Sequence, residues 1–330
     1  MCHVYYLCRV DELILQSLKK RILIADFVET LLIKGLEKRS FEVLYEPRIS
    51  LPEVRELAGG LTGIVVNTRT PVDRKMMEAA PNLEWIARLG SGLDIIDLTA
   101  AGKKGIVVFN TPEGNSNAVA EHLLGMLLSL SNNICRANRE MRSLEWHREK
   151  NRGWELSEKT VGIIGFGNTG SAFAKVLEGF NCKILAFDKY KQHYSEGHRF
   201  VEELDSVEDI VRHADVVSLH LPLTNETRQM ADDQFFSCCK KGLVFCNTSR
   251  GGIVNTASLI GFLSSGHLKG ACLDVFENEK PESWNLEEAE NFSSLSKMEN
   301  VVLTPHIAGW TKESKIKIAK TVLKKLDEII

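Results

Sequence analysis

The chain has 330 residues, of which 44% are hydrophobic and 26% are charged, and its formal net charge is -3. A chain of this length exceeds one ordinary domain, so we expect two. The balanced charge, without a basic block or tail, argues against a nucleic-acid partner. The lack of an apolar run of roughly 18 residues argues against a membrane span, and the N-terminus does not resemble a signal peptide.

The chain contains 8 cysteines at irregular spacings. These spacings fit neither a disulfide framework nor a zinc site. We therefore expect free thiols in a reducing compartment, a cytoplasmic location and no bound metal.

Residues 1–20 precede the first apolar run and are interpreted as an N-terminal extension. From residue 21, short runs rich in Ile, Val and Leu alternate with helix-length segments. The first five runs predict buried strands at 21–26, 41–45, 63–67, 85–89 and 105–109. An apolar segment then predicts one long helix over about residues 117–142.

A second series of runs predicts buried strands at 161–165, 183–188, 215–220, 243–247, 270–274 and 301–305. The acidic segment 277–300 is interpreted as a loop-like insert, and the amphipathic segment 311–330 predicts a closing helix. Continuous apolar strands that alternate with helices imply parallel sheets covered by helices on both faces. Two such series therefore predict two α/β domains.

The segment VGIIGFGNTGSAF carries Gly165, Gly167 and Gly170 in the spacing G-x-G-x-x-G. Ordinary turns also match this spacing. Here, however, an apolar strand precedes the motif and a helix with small residues follows it. Gly165 permits the tight turn, Gly167 lets the backbone approach a pyrophosphate, and Gly170 lets the helix pack closely. The free N–H groups of the helix N-terminus suit phosphates, so we predict a dinucleotide-binding domain.

The strand after this motif ends at Asp188. A carboxylate at this point accepts hydrogen bonds from the adenosine ribose hydroxyls and repels a 2′-phosphate. The sequence therefore favours NAD as the cofactor over NADP, a preference that Lys189 and Lys191 soften.

Five segments together resemble motifs of the D-2-hydroxyacid dehydrogenase family, over about residues 21–330. Three of them are NTSRGGIVN (247–255), LDVFENEKP (273–281) and LTPHIAGWT (303–311). The other two resemble the phosphoglycerate branch of the family and are RLGSGLDIIDL (88–98) and NTPEGNSNAVAEHLLGMLL (110–128).

The resemblance implies an α/β architecture of two Rossmann-like or flavodoxin-like domains with parallel sheets and an interdomain cleft. The substrate domain is discontinuous, with residues 21–117 and 308–330, and the NAD-binding Rossmann domain comprises residues 118–307. The family also implies a homodimer, to which the long helix contributes apolar surface.

Three catalytic residues follow from the resemblance. His306 is the acid/base, because imidazole exchanges protons near neutral pH. Glu279 orients its ring and stabilises the imidazolium. In the family this glutamate directly precedes proline, whereas here Lys280 intervenes before Pro281. Arg250 grips the carboxylate and carbonyl oxygens of a 2-keto acid with its guanidinium fork.

The resemblance also implies binding residues. The substrate set comprises Arg69, Arg88, Gly90, Ser91, Gly92, Asn115 and Arg250. Within it, backbone amides of residues 90–92 receive the carboxylate, and Arg88 matches an arginine linked to the phosphate. The cofactor set comprises Ser91, Gly165, Gly167, Asn168, Thr169, Gly170, Asp188, Leu221, Pro222, Thr248, Asp274 and Gly309. Two further histidines, His122 and His220, are expected to serve structure.

Three functions stay open at this point. The phosphoglycerate branch implies NAD-dependent oxidation of 3-phosphoglycerate to 3-phosphohydroxypyruvate, a step of serine biosynthesis. Asn67 stands where that branch carries another arginine, with Arg69 two residues further on, which favours a glyoxylate, hydroxypyruvate or other 2-keto acid reductase. Some relatives are NAD-sensing corepressors, and the catalytic set does not exclude such a binding protein.

Overall fold

A computed structural model describes residues 20–329. The predicted N-terminal extension lies outside the described residues except for its last one. Within the described part, backbone packing divides the chain into two compact units. Unit 1 comprises residues 20–115 and 311–329, and unit 2 comprises residues 116–310. The predicted domain boundaries stay a prediction, because packing alone does not show which segments fold independently.

Unit 1 is built on a five-stranded parallel sheet with strand order β2-β1-β3-β4-β5. Its strands are β1 (Arg21–Ile24), β2 (Glu42–Tyr45), β3 (Leu61–Val66), β4 (Trp85–Arg88) and β5 (Val107–Asn110). Its helices are α1 (Thr30–Glu37), α2 (Leu51–Leu57), α3 (Arg74–Ala79), α4 (Leu98–Lys103), the first turn of α5 (Pro112–Ser131), and α12 (Lys312–Asp327).

Both faces of this sheet are buried, as continuous apolar strands require. Along β1, Ile22 and Ile24 face one hydrophobic cluster, while Leu23 faces the other. The C-terminal helix α12 returns to cover the first of these faces. There Arg39 forms a two-pronged ion pair with Asp327, with N···O distances of 2.6 and 2.5 Å.

Unit 2 is built on a seven-stranded parallel sheet with strand order β12-β11-β10-β9-β6-β7-β8. Its strands are β6 (Thr160–Ile164), β7 (Lys183–Phe187), β8 (Val201–Glu203), β9 (Val216–Leu219), β10 (Leu243–Asn247), β11 (Leu268–Leu273) and β12 (Val301–Leu303). Its helices after α5 are α6 (Ile134–Arg142), α7 (Asn168–Leu177), α8 (Val207–His213), α9 (Asp233–Cys238), α10 (Thr256–Ser264) and α11 (Leu286–Lys297).

The strand order of unit 2 reverses between β6 and β9. From β6 the chain adds β7 and β8 on one side, then crosses to add the remaining strands on the other. In open α/β sheets, ligands bind outside the carboxyl ends of the strands at such a reversal. The predicted α/β class with two parallel sheets is confirmed by this topology.

Three elements differ from the sequence predictions. The predicted single helix over 117–142 is wrong, because the left-handed backbone of Asn133 separates α5 from α6. The segment predicted as a loop-like insert contains the helix α11, which Asn285 caps through a reciprocal pair of hydrogen bonds with Glu288. The edge strand β8 was not predicted, because its three residues, VEE, lack an apolar run.

Among residues 20–329, no helix combines the length and the apolar character needed to cross a lipid bilayer.

Candidate functional site

The three predicted catalytic residues follow three neighbouring strands of unit 2. The last residues of β10, β11 and β12 are aligned in the sheet, with Leu273 paired to both Asn247 and Leu303. Arg250, Glu279 and His306 lie in the segments that come directly after these ends. Because the strands are parallel, all three segments start at the same edge of the sheet.

His306 and Glu279 form a direct pair. The Nδ1 atom of His306 lies 2.7 Å from Oε2 of Glu279, and the two side chains are 41% and 40% exposed. A carboxylate at Nδ1 holds the proton on that nitrogen and leaves Nε2 to exchange a proton with a ligand. The neighbouring Glu277 is engaged elsewhere, since it accepts a hydrogen bond from the backbone of Thr256 at 2.8 Å. The geometry therefore identifies Glu279 as the partner.

The loop that carries His306 is built around the buried side chain of Asp274. Its carboxylate accepts hydrogen bonds from the Thr304 hydroxyl at 2.5 Å and from the backbone N–H groups of Ile307 and Ala308 at 2.9 and 2.8 Å. Its carbonyl oxygen accepts the N–H of His306 at 2.7 Å. Asp274 thus fixes the backbone on both sides of the imidazole, and its predicted contact with the cofactor stays a prediction.

The sequence did not predict that Thr304 and His122 form hydrogen bonds around the Asp274 carboxylate. Thr304 donates its only hydroxyl proton to Asp274, and Nε2 of His122 lies 3.0 Å from the same hydroxyl oxygen. Nε2 of His122 must therefore carry a proton and act as the donor. The position of Thr304 two residues before the predicted acid/base was the one available signal in the sequence.

Arg250 lies in a turn whose shape is set by Asn247. The side-chain amide of Asn247 donates to the Arg250 carbonyl at 2.9 Å, and its oxygen accepts from the backbone and hydroxyl of Ser249 at 3.0 and 2.8 Å. A Cβ atom at the next residue, Gly251, would collide with the backbone of Phe276. Only glycine therefore lets the Arg250 turn pack against the segment that leads to Glu279.

The glycine-rich turn between β6 and α7 has the geometry that its spacing predicts. Gly165 has φ +93°, which favours glycine, and a Cβ atom on Gly170 would collide with the carbonyl oxygen of Gly165. A Cβ atom on Gly167 would meet no atom within 4 Å. The space in front of Gly167 is thus open, as the approach of a pyrophosphate requires. Asn168 and Thr169 follow in the first turn of α7.

Asp188 follows β7 and is held against this turn. Its Oδ2 atom accepts the N–H of Phe166 at 2.8 Å, and its Oδ1 atom accepts the N–H groups of Tyr190 and Lys191 at 3.0 and 3.2 Å. Three backbone donors therefore fix the Asp188 carboxylate at the end of β7. In dinucleotide-binding folds, the ribose binds at the corresponding strand end.

Two further regions of unit 2 suit a bound dinucleotide. Leu221, which follows β9, lies against the glycine turn, because an added Cβ on Gly165 would lie 2.9 Å from its Cδ2. The next residue, Pro222, accepts the Thr227 hydroxyl at 2.6 Å through its carbonyl oxygen. The buried hydroxyl of Thr248 has no hydrogen-bond partner within the part of the chain that the structure describes. A buried donor in this state is suited to a ligand acceptor.

His220, by contrast, belongs to the core under the turn. Burial lowers the pKa of His220 to about 3. Its Nε2 atom lies 3.0 Å from the Ser218 hydroxyl, and its ring packs against Phe173 with centroids 5.6 Å apart. The imidazole is therefore neutral at physiological pH, which agrees with the structural part predicted for it.

In unit 1 the segment after β4 brings together most of the predicted substrate residues. Gly90 has φ +121°, and its N–H donates to the Thr111 hydroxyl at 2.8 Å. The Gly90 amide is therefore engaged within unit 1, and the contact of the residue 90–92 amides with a carboxylate stays a prediction. The guanidinium of Arg88 folds back over Gly90, where it donates to the Leu89 carbonyl at 2.8 Å.

Asn115 also lies at this loop. Its Oδ1 atom accepts the Ser91 hydroxyl at 3.2 Å, while the Ser91 carbonyl accepts the Asn110 side-chain amide at 2.5 Å. These contacts connect the ends of β4 and β5 to the first turn of α5. Ser91, which was also predicted to contact the cofactor, belongs to unit 1, whereas the other predicted cofactor residues belong to unit 2.

Arg69 follows β3, and its guanidinium donates to the carbonyl of Pro47 at 2.6 Å. Arg48, the residue that follows Pro47 in the chain, was not among the predicted site residues. It is exposed after β2, with its Cζ atom 5.8 Å from the centroid of the Phe27 ring. A cation directly after a strand on the ligand edge of a parallel sheet was the signal that could have identified it. Pro47 is thus followed in the chain by one exposed arginine and contacted through its carbonyl by a second.

Comparison with known families matches residues 124–308 to the D-isomer specific 2-hydroxyacid dehydrogenase, NAD binding domain. This match covers more than half of the chain. It begins within α5 and ends two residues after His306, so it contains the glycine turn and the three candidate catalytic residues.

The chain is 33% identical to a D-3-phosphoglycerate dehydrogenase of Archaeoglobus fulgidus over 92% of its own length, but it spans only 56% of that relative. A hydroxypyruvate reductase of Thermotoga maritima is 35% identical over 88% of this chain and 92% of its own. A solved D-lactate dehydrogenase of Aquifex aeolicus, complexed with NAD and lactic acid, has a TM-score of 0.81 at 26% identity and covers 94% of this chain and 95% of its own.

Proposed function

We propose a reaction for this chain from the premise that it belongs to the D-2-hydroxyacid dehydrogenase family, which the matched domain and the relative at 35% identity establish. Members of this family are NAD-dependent oxidoreductases that act on a CH–OH group. The predicted family and cofactor are confirmed, and so is the enzyme class at the level of the family. The proposed reaction is the reversible oxidation of the C2 hydroxyl of a D-2-hydroxy acid to a ketone.

The observation that carries this proposal is the 2.7 Å pair of His306 and Glu279 at the carboxyl edge of unit 2. A histidine in a dry core would be unable to exchange protons with a ligand. The His306 ring is instead partly exposed, its Nδ1 is held by a carboxylate, and its backbone is fixed by Asp274. This is the arrangement that a general acid/base requires.

In the oxidation direction, Nε2 of His306 takes the proton of the substrate hydroxyl. Glu279 stabilises the imidazolium that forms, because its negatively charged carboxylate accepts a hydrogen bond from the Nδ1–H group. NAD, when held at the glycine-rich turn and Asp188, would supply the acceptor for the hydride of C2. In the reduction direction, His306 returns the proton to the carbonyl oxygen, so the same residue serves as the acid and the base.

Arg250 has a different task in this proposal. Its guanidinium presents several donors in one plane, which matches the carboxylate and the C2 oxygen of a 2-keto acid. This contact orients the substrate and polarises its carbonyl group. The turn around Asn247 sets the direction from which Arg250 leaves the sheet.

For the substrate we propose a phosphorylated acid, with 3-phosphoglycerate oxidised to 3-phosphohydroxypyruvate. Arg88 lies at the loop that would receive the carboxylate, and Arg48 and Arg69 add two exposed cations after β2 and β3 of the same sheet. Several guanidinium groups at one sheet edge suit a substrate that carries both a carboxylate and a phosphate.

A second candidate is reduction of an unphosphorylated 2-keto acid such as hydroxypyruvate or glyoxylate. It is favoured by Asn67, which replaces a cation expected in the phosphoglycerate branch. The relative at 35% identity, a hydroxypyruvate reductase, also supports it. The two candidates share the acid/base and the hydride chemistry and differ only in whether the substrate carries a phosphate.

The test is a steady-state comparison of 3-phosphohydroxypyruvate, hydroxypyruvate and glyoxylate with NADH. We expect the highest kcat/KM for the phosphorylated acid, and equal values for hydroxypyruvate would support the reductase instead. The variant His306→Ala should lose roughly a thousandfold in kcat while its Kd for NADH, measured by fluorescence, is unchanged. His213→Ala, at an exposed position in α8, is the control. Unchanged turnover in His306→Ala would refute the mechanism.

We further propose a homodimer. Large apolar side chains are exposed over the short stretch from α6 to the segment after it, namely Ile134, Met141, Leu144 and Trp146. Leu144 is 95% exposed and Trp146 is 73% exposed, and such a patch marks a protein interface more often than bare surface. A second copy of the chain is the occupant we propose, in line with the predicted dimer.

Sedimentation of the wild-type chain at micromolar concentration tests this assembly. The double variant Leu144→Ser/Trp146→Ser should shift the protein from dimer to monomer. The control is Leu286→Ser, which removes a leucine that is 85% exposed in α11. A wild-type monomer under these conditions would contradict the proposal.

A cytoplasmic location and a place in serine biosynthesis are also proposed. Every cysteine within residues 20–329 is a free thiol, which suits a reducing compartment. The place in serine biosynthesis depends on the phosphorylated substrate, so the substrate comparison tests it as well.

A further inference from the structure

We infer that Lys191 is a cofactor-specificity residue whose ammonium group receives the 2′-phosphate of NADP(H), so that this chain binds NADP(H) as well as NAD(H). The inference rests on the NAD-binding domain and is independent of which 2-hydroxy acid is the substrate.

The structure separates the two lysines that follow Asp188. The ammonium group of Lys189 lies 2.7 Å from the carboxylate of Glu226, which also accepts the Tyr190 hydroxyl at 2.8 Å. The hydrogen bond with Glu226 raises the pKa of Lys189 and keeps its charge engaged at the surface. Lys189 is therefore paired with a carboxylate of its own and is not the residue that meets a cofactor phosphate.

Lys191 reaches the glycine-rich turn instead. Its Nζ atom donates to the carbonyl oxygen of Phe166 at 3.0 Å, and Phe166 stands between the first two glycines of the motif. The N–H of the same Phe166 donates to Asp188. Because Asp188 marks the ribose position in this fold, the ammonium group lies on the ribose side of the turn.

The side chain of Lys191 also borders an open cavity of about 410 Å³. This cavity is lined by Phe166, Gly167, Asn168, Ser171, Lys191, Gln192 and Tyr194. None of these residues is acidic, and Lys191 is the one cation among them. Tyr194 fixes the segment that carries Lys191, since its hydroxyl donates to the Ala186 carbonyl at 2.8 Å and its ring packs on Phe166.

Asp188 opposes a 2′-phosphate less strongly here than an unpaired carboxylate would. Its two oxygens already accept three backbone N–H groups, which compensate part of its charge. The ribose hydroxyls of NAD still find an acceptor in this carboxylate. The arrangement thus favours NAD(H) but leaves a place for the phosphorylated cofactor beside Lys191.

The test is the Kd for NADH and for NADPH, measured by fluorescence with the wild-type chain and with the matched variants Lys191→Met and Lys189→Met. In wild type, both cofactors should bind, and the Kd for NADPH should rise more steeply with added salt. Lys191→Met should raise the Kd for NADPH roughly tenfold, the loss of one charge-assisted contact, and leave the Kd for NADH within about twofold. Lys189→Met should change neither value.

Equal weakening of NADH and NADPH by Lys191→Met would mean that the lysine binds a part common to both cofactors, and it would overturn the inference. Wild-type protein that binds NADH but not NADPH would also overturn it and would leave the NAD-binding domain intact. A wild-type chain that binds neither would contradict the cofactor site itself. The unfolding midpoint of each variant shows that the fold is retained, and Lys191→Glu should remove NADPH binding altogether.

Discussion

The residues proposed for chemistry and those proposed for substrate choice are held in different ways. In unit 2, Asp274 is fully buried, accepts three hydrogen bonds through its carboxylate, and fixes the loop of His306. In unit 1, Arg48 and Arg69 are exposed on loops, against an aromatic ring and a single carbonyl group. The loop that carries the proposed acid/base therefore depends on a buried side chain, whereas the loops that carry the cations proposed to bind a phosphate do not. Substitutions at these exposed loop arginines can therefore alter substrate preference with little loss of unfolding free energy.

The largest effect is expected from Asp274→Ala, which removes the buried carboxylate that holds the His306 loop in unit 2. The change leaves the Thr304 hydroxyl and two backbone N–H groups without their acceptor. Buried donors without a partner cost about 3 kcal/mol in unfolding free energy. Urea denaturation should show this loss, and kcat should fall at least tenfold because the His306 loop is no longer fixed. The control is Asp233→Ala at an exposed position in α9, and an equal loss there would contradict the argument.

Glu279→Gln should show how much of the effect of Glu279 on His306 comes from its negative charge and how much from its hydrogen bond. Glutamine still accepts a hydrogen bond from Nδ1 of His306 but no longer stabilises the imidazolium by its charge. We expect kcat to fall roughly thirtyfold, about 2 kcal/mol in the barrier, with stability within about 0.5 kcal/mol of wild type. Steady-state kinetics and urea denaturation measure the two quantities. Glu282→Gln in the same loop is the matched control, and a similar fall in kcat there would indicate a general effect of loop charge.

The buried imidazole of His220 allows a test in unit 2 through the pH dependence of the unfolding free energy. Burial lowers its pKa from 6.5 in the unfolded chain to about 3 in the folded chain. Below pH 6.5 the unfolded chain binds a proton that the folded chain does not, so this contribution to stability is complete above pH 6.5 and is lost as the pH falls toward 3. Between pH 6.5 and 5, wild type should lose about 1.5 kcal/mol more unfolding free energy than His220→Gln. Parallel curves for the two proteins would contradict the assignment.

The smallest effects on activity and stability are expected from the exposed arginines of unit 1. Arg48→Ala and Arg69→Ala should each raise KM for the phosphorylated acid about five- to tenfold, because each removes one charged contact with the phosphate. Their unfolding free energies should stay within about 0.5 kcal/mol of wild type. Kinetics with hydroxypyruvate, which lacks the phosphate, should be unchanged. Arg55→Ala, at another exposed arginine of unit 1, is the control. An equal rise in KM for hydroxypyruvate would show that the arginines bind a different group.

The sequence predicted the strands of both sheets where their runs are long and apolar. It failed where the local signal is weak or ambiguous. The three-residue β8 lies at the edge of its sheet and has no apolar run to detect. The helix α11 is rich in glutamate, which is a good helix former, so acidic composition was a poor reason to expect a loop. At Asn133, asparagine tolerates the left-handed backbone that divides the predicted long helix.

For the candidate site, the resemblance identified His306 and Glu279 as a pair although Lys280 separates this glutamate from Pro281. It did not identify the hydrogen bonds from Thr304 and His122 that support them. Such contacts join residues that are distant in the chain and leave no periodic pattern in the sequence. The separate surroundings of Lys189 and Lys191 were likewise accessible only from the structure.

The backbone of His306 lies in the left-handed region, with φ +54°. A residue with a Cβ atom adopts this conformation at a cost of about 1–2 kcal/mol, whereas glycine adopts it freely. Replacement by glycine should therefore give an inactive chain that melts at a slightly higher temperature than the wild type. At this single position, the proposed proton transfer requires an imidazole, whereas thermal stability alone would favour glycine.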